Sequence, residues 1–338
     1  MRIIAALAFA VAGLLVTGVC APARAQQTIT IKFSHVVAPD TPKGRAAEYF
    51  KKLAEERTHG RVKIEIYPNS TLYKDAEELD ALQLGAVQML APTLSKFGPL
   101  GIREFEVFDF PYLFDSYDDV HRVTEGPVGT ALLRKLDRKG VIGLAYWDNG
   151  FKPMSANKPL YKPEDMKGLK VRIQSSKVLD AQMRAVGAIP QVLALSEVYQ
   201  ALQTGVVDGT ENVISNFYTQ KMFEVQKYVT LTDHGYIGYV VIANKSFWEG
   251  LPADVRTTLD DALKQATHYA NDIAKKENDD ALEAIRKTGR TQIIELTPEQ
   301  KRAWKKALLK VHTEMQSRVG ASLLADIYRE TRFDPAKL

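Results

Sequence analysis

One short segment carries the residue types that bind anions. Residues 168–176 read GLKVRIQSS, and the alternation of apolar and polar residues around Arg172 predicts a short strand. The guanidinium then lies on the face opposite its two apolar neighbours, where it can grip a carboxylate through two parallel hydrogen bonds. Gln174 and Ser175 add neutral donors at the end of the same strand. The alternative interpretation is a solvated surface arginine, because most basic residues lie at the surface.

A second candidate segment combines aromatic rings, an amide and a cation. Residues 146–152 read YWDNGFK and continue the apolar run VIGLAY, which predicts a strand leading into a functional loop. That loop would carry Trp147, Asn149 and Lys152. An aromatic cluster at the edge of the core, with a turn at Asn149 and Gly150, explains the same residues equally well.

Further polar residues follow other predicted strands. Asn212 comes after an Asp-Gly pair, which alone is also an ordinary turn signal. Open α/β folds bind ligands at the ends of their strands, so we expect such side chains to converge. The other residues of this kind are His35, Lys43, Thr93 and Ser95.

The patterns of common catalytic and metal sites are absent from the sequence. The six histidines are scattered, and none belongs to a His-Glu-x-x-His or His-x-x-x-His pattern. There is no Gly-x-Ser-x-Gly motif, no Walker loop and no Gly-x-Gly-x-x-Gly. A triad assembled from distant residues stays open, but the pattern favours a binding protein without a cofactor or a metal ion.

Composition and the N-terminus indicate an exported globular protein. The chain has 338 residues, is 45% hydrophobic and has a net charge of +4 without a concentrated basic patch, so we predict no nucleic-acid partner. A basic start, an apolar run and small residues at Ala23 and Ala25 predict a signal peptide over residues 1–25, cleaved after Ala25. A membrane anchor, or a lipid on Cys20, is the alternative. Cleavage would remove two of the 45 basic residues, leaving 43 against 41 acidic ones, a net charge of +2 and no cysteine, in the periplasm.

The spacing of apolar residues predicts an α/β fold. Residues 28–34 and 62–67 alternate as strands do, and residues 44–60 between them have helical spacing. This order indicates a βαβ unit. Residues 253–288 lack Gly and Pro and predict one helix long enough to reach across two lobes. A capping box predicts a further helix over residues 297–312.

A short motif, Ala-Leu-Gln-x-Gly-x-Val, occurs twice, in residues 78–87 and 197–207. In each copy a helix would end at a left-handed glycine, Gly85 or Gly205, and lead into a strand. Ser196 is a favourable N-cap for the second helix. Two similar lobes around a shared cleft would explain the repeat, and coincidence is the alternative.

Seven segments together resemble the substrate-binding proteins of TRAP transporters, in particular their C4-dicarboxylate-binding branch. The resemblance covers essentially the whole predicted mature chain, and the segments occur in the order of the family. They read KFSHVVAPDTPKG, YPNSTLYKDAEELDALQLGAVQM, FDFPYLFD, YWDNGFK, KGLKVRIQSS, SEVYQALQTGVVDGTEN and QKMFEVQKYVTLTDHGY.

The resemblance implies a two-lobed fold of the periplasmic-binding-protein type, with a cleft between the lobes and a long helix bridging both. On this basis we place lobe I at residues 26–149, with about 238–277 returning to it. Lobe II is placed at residues 150–237, with about 278–338 returning to it.

The resemblance also implies roles for individual residues. The arginine of the family that pairs with the ligand carboxylate matches Arg172, and its asparagine after the Asp-Gly turn matches Asn212. A second basic residue of some members falls on Lys152. Lys43, Lys152 or His35 would face a second carboxylate. The full predicted site is Arg172, Asn212, Lys152, Ser175, His35, Lys43, Thr93, Ser95, Trp147, Asn149, Gln174 and Tyr236.

The implied function is capture of a small organic acid, a C4-dicarboxylate such as succinate, malate or fumarate, and its delivery to TRAP membrane permease subunits. Three alternatives stay open. The ligand could be a keto acid or an aromatic acid, the protein could serve an ABC-type transporter, or it could be an exported enzyme acting on carboxylates.

Overall fold

The computed structural model describes residues 28–335, so the predicted signal peptide and its cleavage site lie outside the described residues. Within this range the strands are β1 (Ile29–Ser34), β2 (Val62–Tyr67), β3 (Met89–Leu90), β4 (Val141–Phe151), β5 (Met154–Ala156), β6 (Lys170–Ile173), β7 (Ile189–Val192), β8 (Gly209–Glu211), β9 (Tyr228–Leu231), β10 (Tyr236–Asn244) and β11 (Gln292–Glu295).

The helices of the same range alternate with these strands and then fill the C-terminal quarter of the chain. They are α1 (Pro42–Arg57), α2 (Glu78–Gln83), α3 (Tyr117–Thr124), α4 (Pro127–Lys135), α5 (Lys177–Ala185), α6 (Leu195–Gln203), α7 (Ile214–Thr219), α8 (Lys245–Glu249), α9 (Ala253–Thr288), α10 (Pro298–Leu308), α11 (Lys310–Val319) and α12 (Ala321–Thr331). Among residues 28–335, no helix is both long and apolar enough to cross a membrane.

The strands form two sheets, one for each lobe. The first has the order β2-β1-β3-β10-β4, and the second has the order β11-β9-β5-β8-β6-β7. In the first sheet β1 runs parallel to β2 and β3, and in the second β6 runs parallel to β7 and β8. Parallel strands joined by helices are the mark of α/β proteins. The predicted α/β class and two-lobed architecture are confirmed.

Two neighbouring connections between strands join the lobes. β4 of the first sheet leads directly into β5 of the second, and β9 of the second leads back into β10 of the first. The two crossings lie side by side, because the backbone N–H of Lys152 donates to the carbonyl oxygen of Gly235 at 2.8 Å.

The loop predicted after residue 146 is wrong. Strand β4 continues through Trp147, Asn149 and Gly150 to Phe151. Its pairing with β10, in which Gly150 faces Ile237, supplies the backbone with partners that a local turn would not offer. Sheet pairing therefore overrides the turn preference of Asn-Gly.

Helix α9 bridges the lobes, as predicted. Leu259 and Leu263 in its first half pack in the core beside α1 and the first sheet. Ala281 and Ile285 in its second half pack in the core beside α6 and α7. The helix ends at Gly289, whose φ of +63° is left-handed.

The C-terminal helices divide between the two lobes. Strand β11 pairs with β9, and Trp304 of α10 packs in the core beside β5 and β6. Val311 of α11 and Ile327 of α12 pack instead in the core beside residues 103–124 of the first lobe. The proposed lobe boundaries stay a prediction, and the packing of α11 and α12 departs from the return of residues 278–338 to lobe II.

The two copies of the repeated motif adopt similar local structures. Helix α2 is followed by Gly85 with φ +76°, and helix α6 by Gly205 with φ +73°. Strands β3 and β8 follow these glycines and lie inside the two sheets. In each copy, the helix and its glycine therefore lead into an internal strand of the sheet.

Two helix boundaries differ from the predictions. Ser196 is not the N-cap of α6, because the helix begins at Leu195 and the carboxylate of Glu197 accepts from the backbone N–H of Ala194 at 3.3 Å. The helix predicted over residues 297–312 opens with the expected capping box but stops at Leu308, and α11 starts two residues later.

Candidate ligand-binding cleft

Arg172 on β6 is a buried cation with an unused donor. Its side chain is 2% exposed, and Nε and Nη2 donate to the carbonyl oxygen of Leu193 at 3.0 and 2.8 Å. Within residues 28–335, Nη1 is buried and has no hydrogen-bond partner. Burial lowers the pKa of Arg172, and Asp75 partly opposes that shift. An anion beside this guanidinium would satisfy both the charge and the free donor.

A small cavity adjoins Arg172 between the lobes. Its volume is about 20 Å³, the space of one or two water molecules at roughly 10–15 Å³ each. The predicted residues Thr93, Gln174 and Asn212 line it together with Arg172. Because Thr93 follows the first sheet and the others belong to the second, both lobes contribute to its wall.

Thr93, Ser95 and Gln174 form a hydrogen-bonded bridge across the cleft. The hydroxyl of Ser95 is within 2.6 Å of Gln174 Oε1 and 3.2 Å of Thr93 Oγ1. All three side chains are buried. Ser95 thus lies behind two lining residues and fixes the carboxamide of Gln174.

Asn212 is oriented by its own segment. Its Oδ1 accepts from the backbone N–H of Val213 at 2.9 Å and from Asn216 Nδ2 at 3.1 Å. With the oxygen occupied, the Nδ2 hydrogens are the groups that Asn212 can offer to a carboxylate. The Oδ1 of Asn216 is buried without a hydrogen-bond partner in the described chain.

Lys43 and His35 lie behind the cavity wall on the first lobe. Lys43 is 1% exposed, its Nζ donates to the carbonyl oxygen of Ala91 at 2.8 Å, and it lies 3.8 Å from the ring centre of Tyr239, which lines the cavity. No carboxylate of the described residues lies within ion-pair distance of Lys43. Burial lowers the pKa of Lys43 to about 7, partly opposed by Glu78.

His35, the other predicted residue behind the cavity wall, is uncharged. Both of its ring nitrogens are buried and lack a hydrogen-bond partner within residues 28–335. Burial, with a smaller effect of Lys43, lowers the pKa of His35 to about 3. The ring is therefore neutral at neutral pH and offers one N–H donor.

Lys152 does not reach the cavity. It is fully buried and forms an ion pair with the equally buried Glu211, whose carboxylate lies 3.7 Å from His234 Nε2. Burial alone would raise the pKa of Glu211, but Lys152 and His234 more than offset it, so the pKa lies below its usual value. The charge of Lys152 is thus neutralised within the protein.

Four other predicted residues also lie off the cavity. Trp147 belongs to the core of the first lobe and donates to Thr267 Oγ1 at 3.0 Å. Tyr236 packs in the core and donates to Asp148. Asn149 does not line the cavity but donates to the hydroxyl of Tyr239, which does. The exposed Ser175 lines a larger pocket of about 400 Å³ at the cleft mouth.

Three polar residues that line the cavity were missed in the sequence: Asp75, Asn216 and Tyr239. Asp75 lies among other acidic residues, and no local pattern distinguishes it from them. Asn216 follows Asn212 by four residues, a spacing that brings two side chains together in helical backbone and could have been noticed. Tyr239 lies in an apolar strand whose side-chain direction depends on the sheet.

The described residues hold no group of three or more His, Cys, Asp or Glu side chains placed to bind a metal ion. The polar side chains on the cavity wall include the Arg172 guanidinium, the Asp75 carboxylate and the amides of Gln174, Asn212 and Asn216.

Comparison with known proteins identifies the family to which the chain belongs. Residues 33–318 match the family of bacterial extracellular solute-binding proteins, family 7. The chain is 61% identical to the C4-dicarboxylate-binding periplasmic protein DctP of Rhodobacter capsulatus over 330 residues, 98% of each chain. A TRAP periplasmic solute-binding protein of Shewanella oneidensis, solved with bound succinate, is 41% identical with a TM-score of 0.88, covering 90% of this chain and 99% of that one.

A TRAP periplasmic solute-binding protein of Pseudomonas aeruginosa PAO1, solved with bound L-malate, is 44% identical with a TM-score of 0.83. That match covers 85% of this chain and 99% of the other. The expected resemblance to TRAP binding proteins is thereby confirmed. The chain belongs to the bacterial extracellular solute-binding proteins of family 7, which include the periplasmic solute-binding proteins of TRAP transporters.

Proposed function

We propose that this protein captures a C4-dicarboxylate such as succinate or malate at Arg172 and delivers it to TRAP membrane permease subunits. The observation that carries the proposal is the buried guanidinium of Arg172, whose Nη1 lacks a partner in the described chain beside a cavity lined by polar side chains from both lobes. The relatives solved with succinate and L-malate support the choice of ligand class.

The first carboxylate binds at Arg172. Nη1 and the outer hydrogen of Nη2 form a fork that matches two carboxylate oxygens, while Leu193 keeps the guanidinium plane fixed from the other side. Asn212 Nδ2 adds a neutral donor. A hydrogen bond to a charged group contributes roughly 1.5–3 kcal/mol net, so this group supplies most of the polar affinity.

The second carboxylate binds toward Lys43. Of the three candidates, Lys152 is already neutralised by Glu211, and His35 is uncharged at neutral pH. Lys43 is a buried amine that lacks a carboxylate within ion-pair distance in the described chain, and burial has lowered its pKa to about 7. A carboxylate nearby would favour its charged form.

The cleft must open to admit the ligand. A four-carbon diacid is larger than the cavity of about 20 Å³, so the lobes or the lining side chains move when it enters. The two connections between the sheets, from β4 to β5 and from β9 to β10, are the natural hinge, because each joins strands of different lobes directly. Closure then excludes water and strengthens each charged bond.

The same proposal covers export and the fate of the ligand. The signal peptide is cleaved after Ala25, and the mature protein acts in the periplasm. It releases its ligand unchanged, as expected for a relative of solute-binding proteins.

The experiment is a ligand screen on residues 26–338, refolded to remove bound molecules. Thermal unfolding would be followed with succinate, malate, fumarate, a keto acid, an aromatic acid and a monocarboxylate of the same length as succinate. We expect the C4-dicarboxylates to raise the unfolding temperature most, since only they engage both Arg172 and Lys43.

Two controls separate the alternatives. Mass spectrometry of the acids after incubation should return each unchanged, and a new product would favour the exported-enzyme alternative. Stabilisation by the monocarboxylate as large as that by succinate would contradict the dicarboxylate assignment.

A further inference from the structure

Residues 193–195, at the mouth of the cleft, are held from both lobes. Arg172 of the second lobe donates twice to the carbonyl oxygen of Leu193. Asp75 of the first lobe accepts from the backbone N–H of Leu195 at 2.7 Å through Oδ2. The guanidinium of the binding site and this carboxylate are therefore linked through three residues of backbone.

Leu195 is the first residue of helix α6, which lacks a side-chain cap of its own. Ala194 occupies the N-cap position and has no side-chain acceptor, and Glu197 serves the N–H of Ala194 instead. The first amides of a helix need external acceptors, and the partial positive charge of the helix start favours a carboxylate. Asp75 supplies that carboxylate from the opposite lobe.

Asp75 is itself held in place. Its other oxygen forms an ion pair with Lys96, which also pairs with Glu78 on α2. The Asp75 side chain is 17% exposed. Burial would raise its pKa, but Lys96 and Arg172 together lower it to about 2, so the carboxylate stays ionised at neutral pH.

We propose that Asp75 is a closure latch: its carboxylate caps helix α6 across the cleft and stabilises the closed state. The bond joins residues of different lobes, so it breaks when the cleft opens. By fixing residues 193–195, the latch also keeps the Leu193 carbonyl where it positions Arg172. The ligand-dependent part of the inference rests on the proposed function.

Another contact across the same mouth provides a matched control. Lys74 and Glu197 form an ion pair at 3.3 Å between the lobes, and their side chains are 52% and 46% exposed. Exposed pairs contribute little because water screens them. Lys74 is the direct neighbour of Asp75, so its replacement perturbs the same segment without touching the latch.

Substitution of Asp75 should change the equilibrium between the open and closed cleft. Loss of a charged hydrogen bond should shift the closing equilibrium of Asp75→Ala by about tenfold or more toward the open state. The dissociation rate of succinate should rise by a similar factor. The association rate should not fall, because removing a negative charge also removes repulsion toward an incoming dianion. Asp75→Asn keeps an acceptor and should lie between Asp75→Ala and wild type.

The mature chain has no cysteine, so spin labels can be placed without background. Labels at Lys52→Cys on α1 and Gln203→Cys on α6, both exposed, report the separation of the lobes by pulsed electron paramagnetic resonance. Distances would be measured with and without succinate in wild type, Asp75→Ala, Asp75→Asn and Lys74→Ala. Stopped-flow mixing gives the two rate constants. Lys74→Ala should change them by no more than about threefold.

The latch is overturned if Asp75→Ala closes with succinate as completely as wild type and releases it at the same rate. Hydrogen exchange at the Leu195 amide tests the cap under whichever conditions the spin labels show wild type closed, with or without ligand: faster exchange in Asp75→Ala supports it, and unchanged exchange contradicts it. A wild-type protein that does not close with succinate counts against the proposed function, and the exchange measurement then decides the latch alone.

Discussion

Two cations of this protein, Arg172 and Lys152, are both buried and have different partners. Arg172 is 2% exposed and bonds only to a backbone carbonyl oxygen within the described chain, whereas Lys152 is 0% exposed and pairs with Glu211. Both were predicted to contact a ligand carboxylate. Burying a charge costs free energy until a counter-ion arrives, so only the first cation is left to gain from an incoming anion.

The difference follows from where each residue lies. Lys152 follows β4 at the crossing between the lobes, where Glu211 of β8 and His234 before β10 meet it. Arg172 lies on β6, and the nearest segment offers it a carbonyl instead of a carboxylate. We therefore expect Arg172 to bind the ligand and Lys152 to support the fold, because the fold supplies a carboxylate counter-ion to Lys152.

The largest expected effect is on stability at the crossing. Lys152→Met leaves Glu211 buried without its main counter-ion, which should lower the free energy of unfolding by about 3–5 kcal/mol. Urea denaturation at neutral pH, with the slope compared to wild type, measures the change.

A double variant provides the control for this prediction. Lys152→Met with Glu211→Gln removes both charges and should recover most of the lost stability. A single Lys152→Met variant as stable as wild type would show that the pair does not support the fold.

The second largest expected effect is on the affinity for succinate when Arg172 is replaced. Arg172→Lys keeps the charge but loses the fork, so succinate should bind about tenfold more weakly or worse. Calorimetric titration gives the dissociation constant, and circular dichroism confirms that the variant is folded. If Arg172→Lys binds succinate as tightly as wild type, the two-bond clamp is wrong.

Affinity should also depend on pH through Lys43. The pKa of free Lys43 is about 7, and a bound carboxylate raises it, so binding takes up a proton. Succinate affinity should be highest below pH 7 and fall by up to about tenfold per pH unit as the pH rises above 7 toward the pKa of the complex.

Titrations at several pH values would measure this dependence. Lys43 is surrounded by His35, Asp75, Glu78, Lys96 and Tyr239, and Lys43→Met should bind more weakly and remove the dependence above pH 7. A wild-type affinity that is constant from pH 6 to 9 would exclude Lys43 from the second carboxylate.

The smallest effect concerns a neutral donor. Asn212→Ala should weaken succinate binding by about tenfold, because it removes one hydrogen bond from a neutral donor to a charged group, at the low end of roughly 1.5–3 kcal/mol. Ser175→Ala, at the exposed cleft mouth, is the matched control and should leave affinity unchanged. An equal loss of affinity in both variants would instead place the ligand in the larger pocket at the cleft mouth, which Ser175 lines.

Local patterns predicted the elements whose cause is local. Helix α9 runs from Ala253 to Thr288 as expected, because its apolar residues are regularly spaced and its sequence contains neither Gly nor Pro. Gly85 and Gly205 end their helices for a similarly local reason. Arg172 could be singled out because a charged residue between apolar strand residues is unusual.

Long-range contacts explain what could not be predicted. Strand β4 passes through Asn149 and Gly150 because β10 pairs with it. Helix α6 starts before Ser196, and an acceptor 120 residues away in the chain meets its first amide. The pairing of Lys152 with Glu211 likewise depends on two strands meeting, so no spacing in the sequence reveals that this lysine is already neutralised.

We propose above all that Arg172 is the cation that holds a ligand carboxylate. The most direct test is calorimetric titration of succinate into ligand-free wild type and Arg172→Ala, with both proteins shown to be folded. We expect saturable one-to-one binding by wild type and a loss of about a hundredfold or more in Arg172→Ala, because two charged hydrogen bonds disappear. Binding of succinate by Arg172→Ala with wild-type affinity would contradict it.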